Sequence, residues 1–140
     1  LSVPGDTPSP SASLVKNTNH NGSDIAVQTV TLDEYVKDNN LSSIDLIKCD
    51  VEGHELEVFQ GGRDTLKQFK PVVMFECEAR HNGPENVMAV FDYLFSLNYK
   101  GCFYNGHSFA DLDQFDLVKY QTGPNRKIYV NNFFFTPKGT

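Results

Sequence analysis

The stretch that most constrains the fold is residues 44–55, an apolar run that ends in a group of acidic residues, a glycine and a histidine. This pattern is typical of a buried parallel β-strand that passes at its carboxyl end into a loop and a helix. In open α/β sheets, ligands bind at that end of the strands. The stretch therefore predicts both a class of fold and the place where a functional site would lie.

A second stretch of the same kind comes later in the chain. Residues 72–75 are apolar, follow Pro71 and lead into Glu76 and Glu78. Apolar spacing predicts three helices, over residues 32–37, over residues 54–69 and from Pro84 onward. Further strands are predicted over residues 25–30, 99–104 and 128–135.

Local signals refine these elements. Thr31 lies three residues before Glu34, which predicts a capping box at the start of the first helix. The pair Gly61 and Gly62 interrupts the second helix and indicates a kink or a close approach of another segment. Residues 111–120 have no clear period, so we interpret them as a loop with room for a short helix.

The order of these elements predicts an α/β fold with right-handed crossovers. The last two strands have no helix between them, so we expect them to pair antiparallel. Residues 1–24 are rich in Pro, Ser, Asn and Gly and are predicted to be an irregular lead-in to a folded part over residues 25–140. Because the chain starts with Leu1 rather than Met, we expect it to be a piece of a longer protein.

Composition argues against several classes of partner. The net charge of -6 is unfavourable for a surface that binds nucleic acid or an anionic membrane, so we expect neither partner. No apolar run is long enough to span a bilayer. The three cysteines have no metal-ligand spacing, which favours free buried thiols and a cytoplasmic location.

Acidic residues mark the candidate site. Asp50 and Glu52 follow the first apolar strand, and Glu76 follows the second. Neighbouring parallel strands bring their carboxyl ends together, so these carboxylates are expected to converge and to act as a general base or bind a divalent cation. A structural alternative exists for Glu52 and Glu55, because the helix dipole alone favours acids in a first turn.

Two histidines and a lysine lie near these acids. His54 at the predicted helix start and His81 after the second strand are candidates for a base or a substrate contact, with a solvated surface position as the alternative. Lys48 shares the side of its strand with Asp50. A lysine in a buried strand needs a partner, so we expect it to pair with Asp50 or to face the site.

Four blocks of sequence, within residues 25–137, resemble the FkbM family of S-adenosylmethionine-dependent methyltransferases. They are TVTLDEY at residues 29–35, IDLIKCDVEGHE at residues 44–55, PVVMFE at residues 71–76 and YVNNFFF at residues 129–135. The resemblance implies a three-layer, Rossmann-like class I sheet of order 3-2-1-4-5-7-6 with an antiparallel last strand. This chain would form its C-terminal half, with parallel strands, crossover helices and an antiparallel last pair.

The resemblance also implies an activity and roles for residues. The parent protein would transfer a methyl group from S-adenosylmethionine to a hydroxyl of a sugar or secondary metabolite. By the resemblance, Asp50 and Glu52 would face the methyl donor and the acceptor. For this reaction we expect Asp50, Glu52 and His54 to be catalytic and Asp50 with Val51 to contact the cofactor. The small-molecule acceptor would contact Glu76 and His81, and no metal site is expected.

The chain departs from the family in its cofactor half. It has no GxGxxG loop, so whether it is an enzyme by itself stays open. Without the family's first strand, the strand at residues 44–49 would have an uncovered edge that invites pairing with a second copy. The alternative function is therefore a non-catalytic interaction module. A third reading, a metal-dependent hydrolase, would require Asp50, Glu52 and Glu76 to bind a divalent cation.

Overall fold

The computed structural model describes residues 2–4, 22–24 and 26–139. The chain divides into two units, residues 1–30 and residues 31–140. In the first unit, strand β1 (Ser2–Pro4) pairs antiparallel with strand β2 (Gly22–Asp24). The prediction of an entirely irregular lead-in is therefore wrong at these two strands, and the rest of residues 1–24 lies outside the described residues.

The strand predicted over residues 25–30 is also corrected. Residues 26–30 are exposed and have no regular secondary structure, while Ile25 lies outside the described residues. The alternating pattern finds no strand to pair with among the described residues, and a strand needs such a partner for its backbone hydrogen bonds. Side-chain alternation alone therefore misled the prediction.

The second unit holds the rest of the described secondary structure. Its first half contains α1 (Leu32–Asp38), β3 (Leu46–Cys49), α2 (Glu55–Gln60), α3 (Arg63–Phe69) and β4 (Val72–Glu76). Its second half contains α4 (Ala79–Asn82), α5 (Pro84–Ser96), β5 (Tyr99–Tyr104), β6 (Phe109–Asp111) and β7 (Asn132–Pro137). A 3₁₀ turn at Leu112–Gln114 and a π-helical turn at Val118–Thr122 precede β7.

One five-stranded sheet organises this unit, with strand order β3-β4-β7-β5-β6. Strands β3 and β4 are parallel, and β7 runs antiparallel to both β4 and β5. The mixed sheet with its helices confirms an α/β fold and the antiparallel pairing of the last two long strands. Strand β6 pairs antiparallel with β5 at a place where no strand was predicted, which is a further correction.

An aromatic core lies against one face of the sheet. The rings of Phe75, Phe91 and Phe133 are almost fully buried, and their centroids lie 4.7 to 6.3 Å apart. Helix α5 contributes the apolar face predicted from its spacing, and four residues of that face are buried: Val87, Val90, Phe91 and Leu94. The predicted helix and core are thereby confirmed.

The two helix signals are confirmed as well. Thr31 and Glu34 form the capping box of α1, with reciprocal side-chain and backbone hydrogen bonds. The predicted helix over residues 54–69 divides into α2 and α3 at the paired glycines. A Cβ on Gly62 would lie 2.7 Å from a methyl carbon of Leu32, so close approach by α1 requires a glycine at this position.

Strand β3 is less buried than its apolar sequence predicted. It is the first strand of the sheet and pairs only with β4 among the described residues. The side chain of Leu46 is 60% exposed, and Lys48 on the same face is exposed too, whereas Cys49 is buried. At β3 the described residues cover only one face of the sheet. The third layer of the predicted three-layer fold, on the other face, is not among the described residues.

The last strand begins later than predicted. Residues 128–131 precede β7 and are not part of it, because the backbone N–H of Val130 donates to Tyr120 (3.3 Å) instead of joining the sheet. The longest described helix, α5, has 13 residues, and none of the described helices has the length and apolar character of a membrane span.

Candidate functional site

The carboxyl ends of β3 and β4 form a small crevice, here called the carboxylate crevice, of about 20 Å³. Asp50 follows β3 directly and Glu76 ends β4, and the parallel register places Cys49 opposite Phe75, so the two acids are neighbours. The crevice is lined by Asp50, Glu52, Gly53, Glu55, Glu76, Glu78, His81 and Asn82. The structure therefore brings together four predicted site residues: Asp50, Glu52, Glu76 and His81.

The loop after β3 has an unusual backbone conformation. Glu52 has a φ of 50° and Gly53 a φ of 109°, both in the left-handed region. Gly53 tolerates this value because it has no Cβ, while Glu52 adopts it at a cost that is common at functional sites. The turn directs the chain from the end of β3 into α2.

Glu55 holds this loop in place. Its side chain is 1% exposed, accepts a hydrogen bond from the backbone N–H of Gly53 (3.2 Å) and accepts another from the amide of Asn82 (2.9 Å). A buried carboxylate needs such donors to offset the loss of water. Glu55 therefore ties the loop after β3 to helix α4, a role that is more specific than the helix-dipole interpretation.

Glu78 is the centre of a hydrogen-bonded network. Arg80 and the phenol of Tyr129 donate to its carboxylate, and Asn131 donates to it at 3.2 Å. Burial acts to raise the pKa of Glu78, but hydrogen bonds from Tyr129, Glu76, Arg80 and Asn131 outweigh burial and lower this pKa to about 2. Glu78 is thus an anchor in the wall of the crevice that stays ionised at neutral pH.

Glu76 behaves in the opposite way. Burial, a hydrogen bond to Glu78 and the negative charges of Asp50 and Glu78 raise the pKa of Glu76 above its ordinary value. The amide of Asn131 also donates to Glu76 at 2.7 Å. Of these two carboxyl groups, Glu76 therefore binds a proton more readily than Glu78 does.

Lys48 lies beside Asp50, as predicted. The Lys48 Nζ is 3.4 Å from the Asp50 carboxylate, which confirms the pairing. Both side chains are about half exposed, so the predicted burial of Lys48 is wrong and the pair costs little desolvation. Asp50 consequently keeps a carboxylate oxygen accessible to a ligand.

His54 and Val51 do not line the crevice. His54 precedes α2, its Nδ1 is 3.9 Å from Glu57, and its buried Nε2 has no hydrogen-bond partner among the described residues. Val51 is 38% exposed in the loop after β3. The catalytic role of His54 and the cofactor contact of Val51 stay predictions.

Three residues of the site network were not predicted from the sequence. Tyr129 and Asn131 contact Glu78 from the segment before β7. Gln121, which is 5% exposed, donates to the carbonyls of Cys77 (2.9 Å) and Val130 (2.8 Å). Only the fold brings these residues to the end of β4, since about fifty positions separate Tyr129 from Glu78.

Comparison with known proteins adds the decisive observation. A model of the methyltransferase FkbM domain matches residues 2–115. This chain belongs to the FkbM methyltransferase family. The match includes the lead-in, so the family domain extends further towards the amino terminus than the blocks at residues 25–137 indicated.

One relative of this FkbM domain is named as a methyltransferase. The 2-O-methyltransferase NoeI of Sinorhizobium fredii is 34% identical over 71 residues, which cover 50% of this chain and 29% of the relative. The chain thus spans under a third of that protein. No solved structure matches the FkbM domain described here.

In the part of the chain that the structure describes, no group of three or more His, Cys, Asp or Glu side chains is arranged to hold a metal ion.

Proposed function

We propose that the protein containing this chain transfers a methyl group from S-adenosylmethionine to a hydroxyl oxygen of a sugar or secondary metabolite. The observation that carries the proposal is the convergence of Asp50, Glu52 and Glu76 at the carboxyl ends of two parallel strands in an FkbM domain. The name of the relative NoeI, a 2-O-methyltransferase, supports an oxygen acceptor.

The sheet order supports the Rossmann-like class I fold as part of this proposal. Strands β3, β4, β7 and β5 follow one another in the sheet, and β7 is antiparallel to both of its neighbours. Strands 4, 5, 7 and 6 of the class I sheet have this order. We therefore assign β3, β4, β7 and β5 to those positions in a C-terminal half.

Charge complementarity supports a place for the cofactor. The sulfonium of S-adenosylmethionine is positive, and the carboxylates of Asp50 and Glu52 provide negative charge at the loop after β3. The crevice is far smaller than the several hundred Å³ typical of small-molecule sites. These residues would therefore contact only the methyl-bearing end of the cofactor, together with Val51.

In the proposed reaction the cofactor supplies the methyl group, and the chain supplies position and a proton acceptor. Asp50 would accept the proton of the acceptor hydroxyl, and S-adenosylmethionine would give its methyl group to that oxygen and leave as S-adenosylhomocysteine as its sulfur–methyl bond breaks. Glu76 and His81 hold the acceptor, and Glu78 fixes the wall of the crevice through Tyr129 and Asn131. Alignment of the two reacting groups accounts for much of the rate.

Substitution of Asp50 tests the proposal. In the full-length protein, Asp50→Asn removes the proton acceptor and should lower turnover by about 10²- to 10⁴-fold, the usual contribution of a general base. Formation of S-adenosylhomocysteine with a panel of sugar acceptors measures this effect. The matched control is Asp45→Asn, the same charge change at the other end of β3, and it should keep turnover. Unchanged turnover in Asp50→Asn with intact folding contradicts the assignment.

A second candidate function, a non-catalytic interaction module, rests on the edge of β3. Among the described residues this strand pairs on one side only, and Leu46 is 60% exposed. Such an edge can accept a strand from a second copy. Light scattering on the full-length protein distinguishes the candidates: a dimer without methyl transfer supports the module, and an active monomer contradicts it.

A cytoplasmic location is proposed with the activity. The three cysteines are all free, and burial raises the pKa of the Cys49 thiol to about 12 and keeps this thiol unreactive. Free thiols are typical of reducing compartments. Mass spectrometry of alkylated native protein from its source would reveal a disulfide if this location is wrong.

A further inference from the structure

A second cavity lies at the same end of the sheet as the carboxylate crevice. It has a volume of about 640 Å³ and is formed by the turn after β5 and by the segment at residues 118–128. Because β5 is antiparallel to β7, and β7 to β4, the end of β5 at Tyr104 is on the same side as the end of β4. We call this space the basic cavity.

The charge of the basic cavity is opposite to that of the chain. The net charge of the chain is -6, yet the charged side chains that line the cavity are Lys119, Arg126 and Lys127. The imidazole of His107 also lines the cavity, and no Asp or Glu is among the lining residues. A concave surface with one sign of charge concentrates ligands of the opposite sign.

The three cations of the cavity have no acidic partner among the described side chains. Within residues 26–139, none of Lys119, Arg126 and Lys127 forms an ion pair with a carboxylate. The nearest acid along the chain, Asp116, accepts a hydrogen bond from the backbone N–H of Lys119 at 3.0 Å. The positive charges are therefore available to a ligand.

Neutral contacts orient two of these cations. Arg126 donates to the carbonyl of Gly123 (2.9 Å), and its guanidinium lies 5.5 Å from the ring centroid of Tyr129. The Nζ of Lys119 lies 4.7 Å from the ring centroid of Tyr120. Aromatic and carbonyl partners hold a cation in place without neutralising it. The side chain therefore loses less conformational entropy when a ligand binds.

The basic cavity adjoins the candidate site through shared residues. Arg126 also lines a neighbouring cavity of about 580 Å³, together with Arg80 and Tyr129. Arg80 and Tyr129 donate to Glu78, which in turn lines the carboxylate crevice. A continuous set of residues thus connects the acidic and the basic parts of this surface.

From this arrangement we propose that the basic cavity binds an oxyanion group of the methyl acceptor, with Arg126, Lys127 and Lys119 as its cationic contacts. The hydroxyl to be methylated would lie at the carboxylate crevice, and the phosphate, sulfate or carboxylate of the same molecule would lie in the cavity. Charged guanidinium and ammonium donors are the usual partners of such groups. The role of the ligand as acceptor depends on the proposed function, but binding of the anion does not.

The first experiment measures anion binding without the cofactor. Inorganic phosphate, sulfate and acetate are titrated separately into the full-length protein, and the backbone amide shifts of the segment at residues 118–128 are followed by NMR. Saturable shifts with at least one anion are expected, and the anion that binds most tightly identifies the group. In the double variant Arg126→Gln, Lys127→Gln, binding should be at least tenfold weaker.

The matched control is a double charge removal elsewhere, Lys37→Gln with Lys100→Gln, two exposed lysines that do not line the cavity. This control should bind the anion as the wild type does. Equal binding by the wild type and the cavity variant, or no saturable shift with any anion, overturns the proposal. Neither result bears on cofactor binding, so the proposed function can stand without the basic cavity.

The second experiment compares acceptors in the full-length protein. A sugar phosphate should have a KM at least tenfold lower than its unphosphorylated parent, and the cavity variant should remove that advantage through KM with little change in kcat. If the sugar phosphate has no advantage although phosphate binds, the cavity does not serve the acceptor and the proposal is wrong. Methyl transfer to neither sugar, with anion binding intact, counts against the proposed function instead.

Discussion

Gln121 connects three parts of the chain at the end of β4, and its replacement is the sharpest test of the network around the site. Its side-chain amide donates to the carbonyls of Cys77 and Val130, and its oxygen accepts from the N–H of Ala79 at 2.8 Å. The change Gln121→Leu keeps most of the volume and removes all of these hydrogen bonds. It should therefore destabilise the fold without opening a large cavity.

The expected loss follows from the burial of the partners. Cys77 and Val130 are almost fully buried, so their carbonyls would not regain water. At about 1 kcal/mol for each hydrogen bond lost, Gln121→Leu should lower the free energy of unfolding by about 3 kcal/mol. With a urea m value of about 2 kcal/mol/M, the unfolding midpoint should fall by about 1.5 M.

Urea unfolding followed by circular dichroism measures this difference. The matched control is Thr122→Ala at the neighbouring exposed position, which should change stability by less than about 0.5 kcal/mol. The variant Gln121→Glu tests the same contacts through the pH dependence of stability, because an ionised carboxylate would face two carbonyl oxygens and have no hydrogen to donate. Protonation restores one donor, so this variant should gain stability as the pH falls from about 7 to about 5. A loss below about 0.5 kcal/mol in Gln121→Leu would refute the reasoning.

Two further predictions concern Asp33, which accepts hydrogen bonds from the first turn of α3, and Glu78. Asp33→Ala removes the carboxylate that accepts hydrogen bonds from the N–H groups of Asp64 (3.1 Å) and Thr65 (2.8 Å). It should lower the free energy of unfolding by about 1 to 2 kcal/mol. The control Asp38→Ala should be near neutral in the same urea assay. Because the pKa of Glu78 in the folded state is about 2, below its ordinary value, its ionised form stabilises the fold above about pH 4.5, and that contribution disappears as the pH falls towards 2. The stability difference between the wild type and Glu78→Gln should therefore shrink between pH 5 and about pH 3, and a constant difference would show that Glu78 is not the group concerned.

Local patterns predicted the parts of the fold that local chemistry determines. The capping box of Thr31 and Glu34 needs only a short segment, and helix α5 follows from apolar spacing within its own residues. The convergence of Asp50 and Glu76 was predictable because the ends of parallel strands meet. These features depend on neighbours in sequence or on a general rule of sheet topology.

Other features depend on contacts between distant segments, and the sequence carries no local signal for them. The burial of β3 was overestimated because an apolar run does not reveal whether a neighbouring strand covers it. The hydrogen bond between Tyr129 and Glu78 joins residues from two different segments, and a three-residue strand such as β6 lacks the length for a recognisable pattern. The basic cavity also emerges only when the turn after β5 meets residues 118–128.

The account as a whole depends on a methyl donor at the loop after β3. Calorimetric titration of S-adenosylmethionine and S-adenosylhomocysteine into the full-length protein is the most direct test, with a sizing column run in parallel. We predict saturable binding of both with a dissociation constant between about 1 μM and 1 mM, the usual range for enzyme substrates, and weaker binding of S-adenosylmethionine to Asp50→Asn. Absence of binding in a correctly folded full-length protein would contradict the proposed methyl transfer.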